Sequence, residues 1–401
     1  MSTVIINHSD TRGGASVVSV RLLDALRALG EDAGMLVARK ESAHEHVYQA
    51  SSRLRARVPF YAEHLRIFAG NGFNREDLFK VSIGSDGLPL DRHPLVQSAD
   101  TVILNWINQG MLSLEGIKRI ADSGKRVLWT MHDMWNATGV CHHAGTCRRF
   151  TDAAGCRECP LLHGGAGLND LSARTFARKK ELYSHSNITF VAVSSWLERR
   201  CRESVLMRDA DIRVIPNAFP AEDFRTAPTM TRAELGLPRG RIIIMGAARL
   251  DDPVKGLDLA VEVLNGVKNK DAVAVFFGAV RDASALSSLK MPYHLTGPVD
   301  MKVAAELYAH ADVVLSASRY ETLPTTLIEG MAAGAAPVAF DSGGQRDIIT
   351  DGMGELVEAY DTEAMARAID RVLSGKTDRE ALHRSTLRFS PERVARMYLE
   401  I

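Results

Sequence analysis

At residues 318–330 the chain reads SRYETLPTTLIEG, and this stretch decides the fold. It follows an apolar run at residues 311–316, which predicts a buried strand of a parallel sheet. Pro324 suits the first position of a helix, and the pattern predicts that helix over residues 325–333. Because open α/β sheets bind ligands beyond the carboxyl ends of their strands, this strand-to-helix turn is expected to face a ligand crevice.

Two carboxylates lie on either side of this turn. Glu321 falls within the turn, and Glu329 falls more than one turn into the predicted helix. The start of a helix offers backbone N–H groups that suit a phosphate. A carboxylate on each side of an anion site can hold hydroxyls of a sugar and of a ribose. The stretch therefore predicts, in outline, a site for a nucleotide sugar.

Length and composition indicate an ordinary globular protein of two domains. The chain has 401 residues, of which 46% are hydrophobic and 24% are charged. We expect an N-terminal domain at residues 1–220, a C-terminal domain at 221–385, and a final helix in 386–401 that packs back on the N-terminal domain. Neither a signal segment nor an apolar run of about 18 residues is evident. The sequence therefore predicts a cytoplasmic location.

Charge argues against nucleic acid as a partner, since Lys plus Arg and Asp plus Glu both total 49. Residues 1–220 carry 28 basic and 23 acidic side chains, a net of +5, and the remainder carries a net of −5. Within residues 51–60, SSRLRARVPF, arginines alternate with apolar residues. This segment is predicted either to meet a membrane surface or an acceptor, or to be a solvated helix–loop insert.

The chain begins with a strand, a glycine turn, a helix and a second strand. Gly13 and Gly14 follow the apolar run at residues 4–6, and residues 16–29 have helical periodicity. Adjacent glycines let the backbone approach a ligand closely, although a plain tight turn would need them equally. The G-x-G-x-x-G spacing is absent, which argues against a nicotinamide dehydrogenase.

A histidine stands at the carboxyl end of another predicted strand. Residues 126–130, RVLWT, predict the strand, and Met131, His132 and Asp133 follow it. In this architecture the end of a strand is a functional location. A histidine satisfied within the core is the alternative.

Four cysteines then occur within a loop at residues 141–160. Cys141, Cys147, Cys156 and Cys159 have the spacing C-x5-C-x8-C-x2-C. Four thiolates can complete a closed tetrahedral zinc site, and His142 or His143 could replace one of them. Two disulfides, or four reduced thiols, are the competing interpretations. A structural zinc would hold the loop and take no part in chemistry.

The second domain adds cations and glycines to the carboxylates. Arg249 and Lys255 follow a predicted strand at residues 241–246, and two cations there can neutralise a diphosphate. Gly343 and Gly344 follow another strand, where they would let the backbone approach a donor sugar.

The motifs stand, in chain order, at Gly13-Gly14, Thr130-Met131-His132-Asp133, Ile215-Pro216-Asn217, Arg249 with Lys255, and Glu321 with Glu329. Their order resembles that of the retaining glycosyltransferases of family 4, also called glycosyltransferase group 1. The segment His132-Asp133-Met134-Trp135 and the cysteines after it resemble bacterial exopolysaccharide transferases of the colanic-acid type. In two places the chain departs from the family pattern, with Thr322-Leu323 after the first glutamate and Ala218 at the hinge.

The resemblance implies a fold and a chemistry. The fold is GT-B, an α/β fold with two Rossmann-like, doubly wound domains facing across a cleft. The catalytic residues would be Glu321, His132, Arg249 and Lys255.

The donor would be held by residues of both domains. These are Gly13, Gly14, Arg249, Lys255, Leu323, Pro324, Thr325, Glu329, Gly343 and Gly344. Glu329 would bind ribose and Glu321 the transferred sugar, with no covalent nucleophile and no catalytic metal.

The implied activity is transfer of a sugar from a UDP- or GDP-sugar to a glycan or lipid-linked oligosaccharide. The setting would be bacterial surface or exopolysaccharide synthesis, at the inner face of the cytoplasmic membrane. The alternatives are a nucleotide-sugar epimerase on the same fold and a non-catalytic partner subunit. A partner subunit is expected to have lost one of Glu321, Glu329, Arg249 or Lys255, and all four are present.

Overall fold

The computed structural model describes residues 2–163 and 170–401. The described residues divide into two compact units. The first runs to Ala218 and includes Val394–Ile401, and the second is Phe219–Arg393. Residues 1 and 164–169, which fall in the predicted N-terminal domain, lie outside the described residues. Each unit is an α/β structure built on one parallel sheet.

Seven strands and six helices precede the second unit in the described part of the chain. They are β1 (Ser2–Ser9), α1 (Gly14–Ala28), β2 (Asp32–Arg39), β3 (Val47–Gln49), α2 (Arg53–Gly70), α3 (Pro94–Ser98), β4 (Thr101–Leu104), α4 (Leu114–Ala121), β5 (Arg126–Met131), α5 (Leu171–Ser184), β6 (Ile188–Ala192), α6 (Ser195–Arg202) and β7 (Ile212–Val214). The sheet order is β3-β2-β1-β4-β5-β6-β7. The chain therefore leaves β1 toward one edge and β4 toward the other, which opens a crevice beyond these two strands.

The first sheet is buried on both faces, as crossover helices require. Ile5 of β1, Ile103 of β4 and Leu128 of β5 are at most 1% exposed, and they pack with Leu23 of α1 in one apolar core. Burying each such side chain fully stabilises the fold by about 1.5–3 kcal/mol. The strand, glycine turn, helix and strand predicted for the start of the chain are confirmed as β1, α1 and β2.

The second unit contains the following elements, the last of which runs on into the first unit. They are β8 (Arg241–Arg249), α7 (Leu257–Gly266), β9 (Ala272–Ala279), β10 (Tyr293–Leu295), α8 (Met301–Ala309), β11 (Val313–Ser316), α9 (Thr325–Ala332), β12 (Ala336–Asp341), β13 (Glu355–Glu358), α10 (Thr362–Ser374), α11 (Arg379–Thr386) and α12 (Pro391–Glu400). The sheet order is β10-β9-β8-β11-β12-β13. All its neighbouring strands are parallel.

Helix α12 returns the chain to the core of the first unit. Its Val394, Ala395 and Tyr398 are buried in the same cluster as Ile5. The Tyr398 hydroxyl lies 2.9 Å from Oγ1 of Thr130, the residue before the end of β5. The last helix therefore helps to fix the strand that leads to His132.

The stretch at residues 318–330 folds as its pattern predicts. β11 precedes it, α9 begins at Thr325, and Gly330 of α9 lies so close to β11 that a Cβ there would stand 2.6 Å from the Cβ of Val314. One detail of the prediction is wrong, because Pro324 is the N-cap and not the first helical residue. A missing N–H is tolerated at either position, since the first N–H groups of a helix have no intrahelical partner.

Within residues 2–163 and 170–401, no helix combines the length and the apolar character that crossing a membrane requires.

Candidate active site

The second unit brings together the loops that follow β8 and β11. These two strands are neighbours in the sheet. After β8 the chain continues toward one edge of the sheet, and after β11 it continues toward the other. Arg249 is the last residue of β8, and Lys255 ends a 3-10 turn at Pro253–Lys255. Gly256 then has a φ of 66°, and a Cβ there would lie 2.2 Å from the carbonyl oxygen of Ala317. Only glycine lets the Lys255 loop pack this closely against the end of β11.

An ion pair joins the two loops. Nζ of Lys255 donates to Oε1 of Glu321 over 2.6 Å, and the Ser318 hydroxyl donates to the same oxygen over 3.1 Å. The side chains are 32% and 17% exposed, so the pair stands at the surface of the crevice. A ligand held by both side chains would meet an ammonium and a carboxylate side by side. The ammonium suits an anionic group of that ligand, and the carboxylate suits the hydroxyls of an attached polyol.

The glycines after β12 support Glu321 from its backbone side. The N–H of Gly344 donates to the carbonyl of Glu321 over 2.8 Å. At Gly343 a Cβ would lie 2.0 Å from the same carbonyl oxygen. Gly343 and Gly344 were predicted to approach a donor sugar. The contact they make within the described residues is with the loop that carries the carboxylate.

Leu323, Pro324 and Thr325 form the start of α9. Leu323 is buried, Pro324 is the N-cap, and Thr325 is the first helical residue. The side chain of Pro324 makes no cap hydrogen bond to this helix start. Its first backbone N–H groups are therefore the kind of donors that a phosphate accepts from.

Glu329 lies farther along α9 and is nearly buried, at 9% exposure. Its neighbour Tyr308 is fully buried, and burial, together with the Glu329 carboxylate, raises the pKa of Tyr308 well above its usual value. The two predicted carboxylates thus occupy different surroundings. Glu321 is held by a cation at the crevice, and Glu329 lies against an un-ionised phenol.

Arg249 does not join the ion pair of Lys255. It contacts the carboxylates of its own loop, with Asp251 at 3.6 Å and Asp252 at 3.4 Å. Asp252 also accepts from the backbone N–H of Val254 over 3.1 Å, so it shapes the turn that carries Lys255. The sequence pattern indicated the two cations but gave no sign of these internal acidic partners.

In the first unit, His132 directly follows β5. Its Nε2 lies 3.0 Å from Oδ1 of Asn105, the residue after β4. Burial lowers the pKa of His132 to about 4, against an opposing effect of Asp133. The imidazole is therefore neutral near pH 7, and it can exchange hydrogen bonds with hydroxyls without carrying charge.

Asp133 holds the segment around His132, a role that the sequence did not reveal. Its carboxylate lies 2.7 Å from Nδ1 of His142 and accepts from the Trp106 indole over 3.3 Å and the backbone N–H of Trp135 over 2.8 Å. His142 also lies 3.0 Å from the Ser82 hydroxyl. These contacts occupy both ring nitrogens of His142, which was a candidate zinc ligand.

Gly13 and Gly14 begin α1, also in the first unit. Gly13 has a φ of 84°, which favours glycine, and a Cβ at either residue would meet no heavy atom within 4 Å among the described residues. No described residue packs closely against the Cβ positions of this turn. That geometry leaves room for a ligand beside the backbone.

The four clustered cysteines line one small cavity of about 10 Å³ in the first unit. All five cysteines are free thiols in the described chain, and the thiols of Cys141 and Cys159 are hydrogen-bonded. As the described side chains stand, no three His, Cys, Asp or Glu residues form a set that could hold a metal ion. A zinc ion would therefore require these side chains to turn, and the zinc site stays a prediction.

A buried cation borders the cysteines. Nζ of Lys179 donates to the carbonyl oxygens of Trp135 and Thr138, at 2.5 Å and 3.0 Å. Burial lowers the pKa of Lys179 to about 7, and the nearby Cys141 and Cys156 oppose that shift. Thiolates at this place would therefore have a counter-charge beside them.

Sequence comparison matches most of the second unit to a known family. Residues 229–388 match the family described as glycosyl transferases group 1, and this range includes the loops of both Lys255 and Glu321. A phosphatidyl-myo-inositol mannosyltransferase of Mycobacterium leprae is 32% identical over 197 residues, which are 47% of this chain and 51% of the relative. A D-inositol 3-phosphate glycosyltransferase of Xylanimonas cellulosilytica is 29% identical over 180 residues, or 41% and 43%. The chain thus spans about half the length of the curated relatives it matches.

Solved structures share the fold over the whole chain. The sucrose-phosphate synthase of Thermosynechococcus elongatus aligns with a TM-score of 0.66 and 17% identity, covering 100% of this chain and 98% of its own. HepE of Anabaena, solved with UDP and glucose, aligns with a TM-score of 0.65 and 15% identity, over 100% and 98%. These likenesses confirm the predicted GT-B class, an α/β fold with two Rossmann-like units. By its sequence, the region at residues 229–388 is similar to the glycosyl transferases group 1 family.

Proposed function

We propose that this protein is a retaining glycosyltransferase. It moves a sugar from a UDP- or GDP-sugar to a glycan or lipid-linked oligosaccharide in the synthesis of bacterial surface or exopolysaccharide. The observation that carries the proposal is the 2.6 Å ion pair of Lys255 and Glu321, beside the start of α9. Together they offer a cation and backbone donors to a diphosphate, and a carboxylate to a sugar.

The donor nucleotide is proposed to lie on the second unit. Glu329 accepts hydrogen bonds from ribose hydroxyls, and the start of α9 at Leu323, Pro324 and Thr325 donates to the diphosphate. Glu321 holds the donor sugar. His132 binds a hydroxyl of the sugar or aligns the acceptor, and its neutral state suits that task.

Charge stabilisation is the main contribution of the protein to the reaction. As the bond between the sugar and the diphosphate breaks, negative charge grows on the leaving oxygen and positive charge on the sugar ring. Lys255 and Arg249 stabilise the negative charge on the leaving oxygen, and Glu321 stabilises the positive charge on the sugar ring. The acceptor hydroxyl attacks from the side on which the diphosphate leaves, and its proton passes to the leaving phosphate oxygen. The new bond therefore keeps the configuration of the old one.

Neither carboxylate is proposed as a covalent nucleophile. Glu321 is ion-paired with Lys255, and Glu329 lies deep in α9 beside Tyr308. Since two cationic side chains neutralise the diphosphate, the proposed reaction needs no catalytic metal.

The matched proteins support this choice of donor. HepE was solved with UDP-glucose, UDP, and UDP with glucose, and the relatives are described as transferases that act on inositol-containing acceptors. By analogy we propose a nucleotide sugar as donor for this chain. The proposed place of action is the cytoplasm, at the inner face of the cytoplasmic membrane.

A thermal-shift panel tests the donor site. UDP or GDP, and one of their sugars, should raise the melting temperature, because a ligand that binds only the folded state stabilises it. Lys255→Ala should reduce that rise, whereas Lys302→Ala, which removes an exposed cation from α8, should not. If no nucleotide stabilises the protein, the donor site is wrong. If nucleotide diphosphate is released from a nucleotide sugar at the same rate without any acceptor, an epimerase-like activity is favoured over transfer.

A further inference from the structure

The first unit has a cavity of about 410 Å³ beyond the carboxyl ends of β1, β2 and β3. Its lining includes His8, Arg39, Lys40, Arg53, Arg57 and Tyr61. In a parallel α/β sheet this is the edge where ligands bind. By contrast, a cavity of about 590 Å³ elsewhere in the same unit lies at the amino ends of β6 and β7, where Ile188 and Asp211 line it.

The cavity is rich in positive charge that its one carboxylate does not balance. Glu41 accepts from Nε of Arg12 over 2.9 Å and from Nε of Arg39 over 2.8 Å, so its charge is already shared. Within the described residues, the side chain of Lys40 donates to the backbone carbonyls of His44 and Val47. An ammonium bonded to neutral oxygens keeps its full charge.

Arg53 and Arg57 are the cations that stand out. Within the described parts of the chain, neither has a carboxylate within ion-pair distance, and both are exposed. They lie one turn apart on α2, where like charges destabilise a helix by about 0.2–0.5 kcal/mol. Arg53 also lies in the first turn, where the helix dipole disfavours a cation and favours an anion. The first turn of α2 contains no acidic residue, and no described side chain caps it.

His8 lines the cavity beside the cations. Nδ1 of His8 is buried without a hydrogen-bond partner among the described residues. His8 packs edge-on against Trp106, with ring centroids 5.8 Å apart, so the ring is held in place. His8 therefore forms a fixed wall of the cavity.

Beside the arginines, α2 presents an apolar stripe to solvent. Leu54, Val58, Tyr61 and Leu65 are 76%, 65%, 61% and 66% exposed, and their spacing of four, three and four residues places them along one side of the helix. The face of Tyr61 can stack on a sugar ring, and the stripe can carry an apolar chain.

We propose that this cavity binds the acceptor through an anionic group, a phosphate carried by a sugar or by a lipid headgroup, and that Arg53 and Arg57 hold it. The identification of the bound molecule as the acceptor rests on the proposed transferase function. The existence of an anion site in this cavity does not. Forked hydrogen bonds from two guanidinium groups suit a phosphate.

The test separates the two sources of phosphate. Protein saturated with UDP, which occupies the proposed donor site, is titrated with glucose 6-phosphate and with glucose, and is mixed with vesicles of phosphatidylglycerol or of phosphatidylcholine. Arg53→Ala and Arg57→Ala are compared with Arg55→Ala, which removes the same charge from the same helix outside the cavity. The cavity variants should weaken phosphate binding about ten- to a hundredfold, and Arg55→Ala should change it little.

Each outcome decides the matter. Loss confined to glucose 6-phosphate identifies a sugar phosphate, and loss confined to anionic vesicles identifies a lipid headgroup. The site is refuted if Arg55→Ala weakens binding as much as Arg57→Ala, or if glucose binds as well as its phosphate. Failure of UDP to bind would refute the donor site instead and would leave the phosphate titration interpretable.

Discussion

The two units present opposite electrostatic situations at the carboxyl edges of their sheets. Beyond β8 and β11 of the second unit, Lys255 is paired with Glu321, and Arg249 contacts Asp251 and Asp252. Beyond β1 and β2 of the first unit, Arg53 and Arg57 have no acidic partner in the described ranges. An anion entering the second unit must compete with internal carboxylates, whereas one entering the first unit meets uncompensated charge. We therefore expect the carboxyl edge of each sheet to determine where a ligand binds, and local charge pairing to determine how it is held.

The largest expected effect follows from removing the carboxylate of the ion pair. Glu321→Ala should lower the rate of transfer by roughly a hundredfold or more, because charge on the sugar loses its stabilising partner. UDP should bind at least as tightly as before, since Lys255 is released for the phosphates. Steady-state rates and UDP calorimetry measure the two effects.

Glu355→Ala is the matched control for Glu321→Ala. It breaks an ion pair of similar length, 2.7 Å, with Arg371 in the same unit, but on β13 away from the crevice. It should leave the rate nearly unchanged. A variant at Glu321 that transfers sugar at the normal rate would show that the ion pair has only a structural role.

The next effect contrasts two glycines, one from each unit. Gly343→Ala places a Cβ 2.0 Å from the carbonyl oxygen of Glu321, so the loop must shift. Such overpacking costs about 1–3 kcal/mol, and denaturant unfolding should record that loss together with a lower rate. Gly14→Ala meets open space and should leave the stability within about 0.5 kcal/mol of the wild type.

Gly14→Ala also tests the predicted contact with the donor. If the turn at Gly14 approaches the donor closely, the rate falls while the free energy of unfolding stays the same. Equal losses of stability in the Gly343 and Gly14 variants would contradict the geometry of both turns.

The smallest expected effect concerns the cysteines, which all lie in the first unit. Protein purified without chelator is predicted to contain about one zinc ion per chain, held by Cys141, Cys147, Cys156 and Cys159. Removing the ion should lower the melting temperature of the first unit by several degrees and leave the nucleotide-induced stabilisation of the second unit intact. Metal analysis with thiol titration is the measurement. A zinc content near zero with four titratable thiols would refute the site.

Local patterns predicted much of the fold. The apolar run before residue 318 and the helix starting at Thr325 were confirmed, because a buried strand and a helix start both leave short-range signatures. Helix α2 was left between two interpretations. Its apolar residues Leu54 and Val58 face solvent, so its periodicity does not mark a core face.

The site was predicted in its residue types more than in its contacts. Lys255 and Glu321 are 66 residues apart, and only the neighbouring positions of β8 and β11 in the sheet bring them together. The contact of Asp133 with Trp106 arises in the same way, because these residues follow the neighbouring strands β5 and β4. A single sequence carries no short-range signal for such pairs.

The route of the chain through α12 has a consequence for biosynthesis. The first unit is interrupted after Ala218 and resumes at Val394, so the whole second unit is an insertion within it. On the ribosome, the first unit must wait for its last eight residues before Tyr398 can reach Thr130. The second unit is complete earlier, although it starts later. The sheet that is synthesised first is therefore the one whose core closes last.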